Sequence, residues 1–246
     1  ANNYNTCCKF LFKFHMKIFP RLIHVKFIKR YKRFFADVTL NKKKITAHCP
    51  NSGSMLGLLN KNNDAWISKS DKPNRKLKYT LEIINDKKSN VGVNTHRANR
   101  IIEEALNNKK IVELKNFTNI KREAKFSKET RFDFLLENKK KKAFLEVKNV
   151  TLSRKKGISE FPDAITERGK KHLVHLQDAL EKGFESYLLF LIQREDTKTM
   201  KIANDIDSNY YDEIKKANKN GVKIIAYSCK VNENEITINN KIKVEI

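Results

Sequence analysis

The stretch RFDFLLENKKKKAFLEVKNV, residues 131–150, decides the fold of this chain. It contains two short apolar runs, Arg131–Leu136 and Ala143–Val150, on either side of the polar segment 137–142. Short runs rich in Phe, Leu and Val that flank a polar segment indicate two strands joined by a hairpin loop. The stretch therefore predicts a β-hairpin whose tip is the lysine run.

Two carboxylates and one lysine lie on these predicted strands. Side chains alternate between the faces of a strand, so Glu146 and Lys148 share a face while Val147 points away. If the hairpin pairs in this way, Asp133 comes beside them. Two carboxylates next to a lysine can hold a divalent metal and position a water, which is the core of a metal-dependent phosphodiesterase site.

An ordinary cross-strand Asp/Glu–Lys pair is the alternative interpretation, and such a pair contributes little. The surroundings favour the site. Asp133 is flanked by Phe132 and Phe134, and Glu146 also lies within an apolar run. Burying carboxylates among such residues is costly unless they are paired or bound to a metal.

Further acidic residues precede the hairpin: Glu104 on a predicted helix and Glu123 on a predicted strand. We expect both to join Asp133 and Glu146 in binding one or two Mg²⁺ ions. Lys148 would orient or activate the attacking water, or stabilise the negative charge that develops on the phosphate. A helix, three strands, a helix and a strand, with Asp on the second strand and Glu-x-Lys on the third, is similar to the PD-(D/E)xK nuclease-like core.

The second half of the chain has the predicted order α-β-β-β-α-β-α-β, which calls for a mixed sheet flanked by helices. Thr95 can cap a helix that runs to Asn107. A longer helix is expected over 163–182, and the apolar face of this helix consists of Ile165, Gly169, Leu173, Leu176 and Leu180. A helix near 208–220 and two short strands at the end of the chain complete the prediction.

The first half is different, because six short strands between residues 22 and 94 alternate with turn signals. This pattern indicates a small barrel or a sandwich, and we specifically expect a five-stranded OB-like barrel. We therefore divide the chain into an extension (1–20), an OB-like DNA-binding domain (21–94) and a nuclease-like domain (95–246). The fold class is α/β in the second domain and α+β overall.

The charge is strongly positive, with 52 Lys and Arg against 28 Asp and Glu, a formal net charge of +24. Such an excess favours polyanions, nucleic acid first and acidic membranes second. A general drift towards lysine would give the same charge without any ligand.

The cysteines and the N-terminus bear on localisation. The four cysteines form no Cys-x-x-Cys pair, so we interpret them as reduced thiols of a cytoplasmic protein. Segment 7–20 is apolar but interrupted by lysines and lacks a cleavage site, so it is not interpreted as a signal peptide. A basic membrane-surface segment is the alternative, and Met16 is a candidate for the natural start. We expect DNA as the partner and no membrane.

Three segments are candidates for contacting DNA. Segment 29–35 alternates cations with aromatic rings, and on a strand it would present Arg30, Lys32 and Arg33 to phosphates. The turn around Asn51 can present backbone N–H groups to an anion. The long helix carries Arg168, His172 and His175 on one face, although a solvated face is the simpler interpretation.

Several motifs follow one another along the chain: RYKRF with ADV near residue 30, CPNSGSM at 49–55, VNT at 93–95, RFDF at 131–134, EVK with VTL at 146–152, and FPDA with Thr166, Arg168, Gly169 and His172. With these motifs, the chain resembles the sugar fermentation stimulation protein A (SfsA) family from about Leu22 to its C-terminus. Ser52 stands where the family commonly has Thr.

This resemblance implies a bacterial protein with an OB-like domain, a nuclease-like domain and DNA binding, linked by name to the regulation of sugar metabolism. The matched site positions are Glu104, Glu123, Asp133, Glu146 and Lys148. Two functions follow: a Mg²⁺-dependent deoxyribonuclease, or a non-catalytic DNA-binding regulator of sugar metabolism genes. An RNA-binding OB module would leave the acidic cluster unexplained. The intact acid–lysine set favours the enzyme, or at least a metal site.

Overall fold

The structure, a computed structural model, describes residues 21–246. The predicted extension, with Cys7, Cys8 and Met16, lies outside the described residues. The first part of the chain is a six-stranded sheet that closes into a barrel. Its strands are β1 (Ile23–Tyr31), β2 (Phe35–Leu40), β3 (Lys43–His48), β4 (Asp64–Lys69), β5 (Tyr79–Asn85) and β6 (Asn90–Gly92).

The barrel closes because β3 pairs with β5 as well as with β2. Side chains that alternate along the strands fill the interior of the barrel. In β1, for example, Val25 and Phe27 are buried, while Lys26 between them is exposed. Six strands were expected between residues 22 and 94, and β1 to β6 lie within that range. The predicted OB-like barrel is confirmed.

The second part is an eight-stranded mixed sheet with the order β10-β12-β14-β13-β11-β9-β8-β7. A short 3-10 turn (Thr95–Arg97) precedes the first helix. The helices and strands are α1 (Ala98–Asn107), β7 (Asn119–Lys125), β8 (Arg131–Glu137), β9 (Lys142–Val150), β10 (Gly157–Phe161), α2 (Glu167–Glu181), β11 (Glu185–Ile192), β12 (Thr197–Ile202), α3 (Ser208–Lys219), β13 (Lys223–Val231) and β14 (Ile236–Glu245).

Strands β9, β11 and β13 run parallel through the middle of this sheet. Both faces are covered, which explains the nearly continuous apolar sequence of β11. One core lies under α1 and includes Ile101, Ile102 and Leu145. The other lies under α2 and α3 and includes Leu173 and Ile214. The predicted mixed sheet flanked by helices is confirmed.

The long helix begins later than expected, at Glu167 instead of Asp163. Thr166 caps it, because the Thr166 side chain accepts a hydrogen bond from the N–H of Gly169 at 3.1 Å. Asp163 is instead committed to the barrel: its carbonyl accepts from the Ser54 hydroxyl at 2.7 Å and its carboxylate accepts from the Met55 N–H at 3.1 Å. Ile165 therefore precedes the helix and is 72% exposed, so its place on the apolar stripe was wrong.

The cap before α1 also differs from the prediction. Asn94 caps the 3-10 turn by accepting from the N–H of His96 at 3.1 Å. The Thr95 hydroxyl donates to the carbonyl of Pro50 at 2.8 Å and is not the capping group.

Strands β10 and β12 were not predicted, and one long strand, β14, replaces the two short strands expected at the end. In β12, Lys198 and Lys201 occupy exposed positions, so only a few apolar residues remain to signal a strand. Pairing with β10 and β14, rather than local sequence, stabilises β12.

A buried arginine joins the two parts of the chain. Arg194 is 1% exposed; its guanidinium donates to Asp86 of the β5–β6 hairpin at 2.9 Å and to Asp196 at 2.7 and 2.8 Å. Nearby, the N–H of Gly92 donates to the carbonyl of Gln193 at 2.9 Å. No helix within residues 21–246 is long and apolar enough to cross a membrane.

Candidate active site

The hairpin of β8 and β9 ends in a side-chain contact instead of a backbone pair. Regular pairing extends to Phe134 and Leu145. Beyond it, the Asp133 carboxylate accepts a hydrogen bond from the N–H of Val147 at 2.7 Å. Its other oxygen accepts from the side-chain amide of Asn99 on α1, also at 2.7 Å. Asp133 is therefore held between the sheet and the helix.

The alternation of side chains is interrupted at this point. Phe134 packs in the core under α1, whereas Phe132, two residues away, packs in the core under α2 and α3. On the neighbouring strand β7, Glu123 lies opposite Asp133, between the regular pairs, and has a positive φ of 49°. This irregularity turns Asp133 towards α1.

Glu146 is 3% exposed and lies at the centre of a polar cluster. Its Oε1 accepts a hydrogen bond from the Nζ of Lys148 at 2.8 Å and also contacts the Nδ1 of His172 on α2. The Nζ of Lys148 lies 3.3 Å from the same ring nitrogen. The second carboxylate oxygen of Glu146, Oε2, is buried and has no hydrogen-bond partner among the described residues.

The two carboxylates differ in pKa. Burial raises the pKa of Glu146, but Lys148 and His172 outweigh burial and leave that pKa below its usual range. Burial, with the neighbouring charge of Glu146, raises the pKa of Asp133 to about 6 against the hydrogen bonds from Val147 and Asn99. At neutral pH the cluster therefore holds two negative charges, one buried and one partly buried, that are close enough to repel each other.

Tyr210 of α3 is fully buried, and its hydroxyl has no hydrogen-bond partner within the described part of the chain. Burial and the charges of Glu146 and Asp207 raise the pKa of this phenol well above its usual value. The cluster thus has a neutral hydroxyl donor beside it. Neither Asn99 nor Tyr210 was identified from the sequence, because a single Asn or Tyr in a helix carries no distinguishing signal.

The structure does not bring the four predicted metal-binding carboxylates together. Glu104 lies in a small cleft with Lys110 and Ile236. It does not lie on the side of α1 that faces β7 and β8, because that side is occupied by the preceding residue. Glu103 occupies that side and accepts from Arg122 at 3.2 Å. Glu123 is exposed on β7. Within residues 21–246, no group of three or more His, Cys, Asp or Glu side chains is arranged to hold a metal.

Two carboxylates with an unsatisfied buried oxygen nevertheless fit a hard divalent cation. Mg²⁺ keeps several of its waters and is commonly bound by only one or two carboxylates. Asp133 and Glu146 would hold it, and the Oε2 of Glu146 is the protein oxygen that lacks a partner.

The predicted DNA contacts fall into two groups. Arg30 and Asn51 have structural roles. The Arg30 guanidinium donates to the carbonyls of Asn51 at 2.6 Å and of Gly53 at 2.9 Å, and the buried Asn51 amide donates to the carbonyl of Val93 at 3.1 Å. Their guanidinium and amide groups hold the 51–54 loop in place, and their contact with DNA stays a prediction.

The remaining predicted contacts stay accessible, except for His172. Lys32 and Arg33 are exposed, but they lie in the β1–β2 turn with positive φ and not on a strand as expected. Arg168 is exposed, and its Nε lies 3.4 Å from the Nε2 of His172. His175 contacts the Thr130 hydroxyl at 2.8 Å. The structure therefore brings His172 to Glu146 and Lys148 and leaves Arg168 at their rim.

Comparisons with known proteins match both halves of the chain. Residues 28–93 match the family description "SfsA N-terminal OB domain", and residues 96–235 match "Sugar fermentation stimulation protein RE domain". The sugar fermentation stimulation protein homolog of Pelagibacter ubique is 56% identical over 229 residues, covering 93% of this chain and 99% of that protein. That of Maricaulis maris is 40% identical over 233 residues, covering 94% and 99%.

A solved structure shares the fold: that of Pyrococcus furiosus SfsA in complex with Ca²⁺ matches with a TM-score of 0.85 at 24% identity, covering 94% of this chain and 98% of that one. Both domains and nearly the whole length of the chain are therefore accounted for by one family. The chain belongs to the SfsA, or sugar fermentation stimulation protein, family.

Proposed function

We propose that the protein binds DNA and hydrolyses phosphodiester bonds with Mg²⁺ at Asp133, Glu146 and Lys148. The observation that carries this proposal is the Oε2 of Glu146, a buried carboxylate oxygen with no partner among the described residues, beside a lysine and a second, partly buried carboxylate. A structural ion pair satisfies its buried oxygens, since unpaired ones are costly. A carboxylate oxygen that has no hydrogen-bond partner is free to act as a ligand for a cation.

Each side chain has a role in this proposal. A bound Mg²⁺ would polarise the phosphate and lower the pKa of a bound water. Asp133 and Glu146 would hold the ion, while Lys148, whose Nζ contacts Glu146 and lies near His172, would stabilise charge that develops on the phosphate. The net charge of +24 favours binding to a polyanion. The relative from Pyrococcus furiosus was solved with Ca²⁺, which supports a cation site in this fold.

A non-catalytic DNA-binding protein is the second candidate. It is favoured by the positions of Glu104 and Glu123, which leave only two carboxylates in the cluster. Two carboxylates bind a metal more weakly than four would, and a retained fold does not by itself imply retained chemistry.

A cleavage assay on purified protein separates the two functions. Linear duplex, single-stranded and branched DNA are incubated with Mg²⁺, Mn²⁺ or EDTA, and Glu146→Gln serves as the matched control because it keeps the shape of the side chain. We expect metal-dependent cleavage of at least one DNA form by the native chain and none by the variant. Binding of DNA without cleavage of any form would support the non-catalytic function instead.

A further inference from the structure

A cleft of about 650 Å³ separates the barrel from the start of α1. One wall is the β4–β5 loop, which contributes Lys72 and Arg75, and the other is the 3-10 turn with α1, which contributes Arg97 and Arg100. His48, at the end of β3, lies at one edge. None of these residues was part of the DNA contacts expected from the sequence.

The cleft is basic. Among the described residues, only two carboxylates line it, those of Asp71 and Glu82. They are outnumbered by five cationic side chains: Lys69, Lys72, Arg75, Arg97 and Arg100. Glu82 is fully buried and already satisfied, because it accepts from Ser68, Asn94 and Arg97. Its charge is therefore committed to Arg97. Lysines 69 and 72 are exposed, and cations on both walls face the same space, which is the arrangement that follows a phosphate backbone.

An aromatic surface adjoins the same cleft. Phe34, in the β1–β2 turn, is 44% exposed, and its ring stacks on His48 with centroids 6.3 Å apart and an interplanar angle of 27°. Burial and the charge of Arg75 lower the pKa of His48, so at neutral pH its ring is uncharged. An exposed ring beside a row of cations provides a face on which a nucleobase can stack.

The cleft and the carboxylate cluster share helix α1. Arg100, on the α1 wall, is the neighbour in sequence of Asn99, whose side chain donates to Asp133. Because neighbouring side chains on a helix point about 100° apart, the cleft and the carboxylate cluster lie on different sides of the first turn of α1.

We propose that this cleft binds a single strand of nucleic acid, with a base on Phe34 and its phosphates on Lys72, Arg75 and Arg100. The assignment rests on the proposed function for nucleic acid as the ligand, and it adds the form of nucleic acid and the surface that holds it. A single strand is specified because the faces of its bases are free to stack, whereas a duplex hides them and offers only its edges and backbone.

Binding is measured by fluorescence anisotropy in EDTA, so that cleavage plays no part. The probes are a labelled twenty-nucleotide DNA strand, the same sequence as RNA, and the DNA duplex. We expect the strand to bind more tightly than the duplex, and Lys72→Glu/Arg100→Glu to weaken strand binding by about tenfold or more, with a shallower dependence on salt. Phe34→Ala should weaken strand binding by about tenfold and duplex binding little.

The matched control is Lys139→Glu/Lys140→Glu, which makes the same change in charge at the tip of the β8–β9 hairpin, away from the cleft. Circular dichroism checks that each variant is folded. Equal loss of affinity in the control and cleft variants, or tighter binding of the duplex than of the strand, would overturn the cleft assignment. The proposed cleavage would stand or fall separately, because metal-dependent cleavage is measured in its own assay. If no nucleic acid is bound, both proposals fail. Equal affinity for the RNA and DNA strands would support the proposal and show that the cleft accepts both.

Discussion

The Asp133 carboxylate accepts a hydrogen bond from the backbone N–H of Val147, the residue that separates Glu146 from Lys148. A side chain thereby takes the place of the backbone carbonyl that would continue the β8–β9 ladder. The position of Asp133 relative to the other two residues is consequently set by backbone geometry and not by a flexible side-chain contact.

The pKa of Asp133 makes stability depend on pH. The carboxyl titrates near 3.8 in an unfolded chain and at about 6 in the folded one. The folded state therefore binds more protons between these values, so this group lowers stability as pH rises through the window. We expect Asp133→Asn to stabilise the metal-free protein by about 2 kcal/mol at pH 7.5 and hardly at all at pH 4. Urea unfolding in EDTA at both pH values measures the difference, and identical pH profiles for the two proteins would contradict it.

Metal binding should be visible as thermal stabilisation. Because the Oε2 of Glu146 lacks a partner, Mg²⁺ or Ca²⁺ at a concentration one hundred times its Kd should stabilise the native protein by about 2.7 kcal/mol. Glu146→Gln should remove this shift, whereas Glu123→Gln, on an exposed position, should keep it. A calorimetric scan with and without the cation tests both variants. An equal shift in the native protein and in Glu146→Gln would place the cation elsewhere.

Lys148 should be needed for cleavage and not for holding the metal. Lys148→Met removes the ammonium that contacts Glu146, so the pKa of Glu146 should rise towards its usual value. The rate of cleavage should fall by about a hundredfold or more, since a cation that stabilises developing charge is lost. The cation-induced thermal shift should persist. Lys139→Met at the hairpin tip is the control, and undiminished cleavage by Lys148→Met would exclude this role.

Arg30 should be a determinant of stability instead of a DNA contact. Arg30→Ala leaves the carbonyls of Asn51 and Gly53 without their charged donor, and we expect a loss of about 2–3 kcal/mol. Arg33→Ala, in the exposed turn that follows β1, should change stability little and reduce DNA affinity modestly. Chemical denaturation and binding assays on both variants separate the two effects. An Arg30→Ala protein of native stability with weakened binding would restore the earlier assignment.

The buried Arg194 should be essential to the join between barrel and sheet. Arg194→Met leaves the carboxylates of Asp86 and Asp196 without their main partner, and breaking a buried pair in this way costs about 3–5 kcal/mol. Lys198→Met, on an exposed position of β12, is the control and should be nearly neutral. Equal unfolding midpoints for the two variants would show that the pair contributes little.

The parts of the site that depend on strand periodicity could be predicted from the sequence. Glu146 and Lys148 share a face because the period of a strand is two, and Asp133 follows from the hairpin. The parts that depend on tertiary packing could not. Whether Glu103 or Glu104 faces β7 is decided by the rotation of α1 over the sheet, and one helix position moves a side chain by about 100°.

The same limit applies to the basic residues. Arg30 and Arg33 look alike in the sequence, yet one guanidinium holds a loop and the other lies on the surface. The distinction arises because the 51–54 loop places its carbonyls within reach of Arg30. Such a contact between residues twenty or more positions apart leaves no local signature.

The contact of Asp163 with the barrel has a consequence for which residues position 53 can accept. A Cβ at Gly53 would lie 2.5 Å from the Asp163 carboxylate, which the N–H of Met55 already holds in place. The Ser54 hydroxyl donates to the carbonyl of the same residue. A larger side chain at position 53 would therefore push the segment before α2 away from the barrel, so tertiary packing, and not the conformation of its own backbone, favours glycine there.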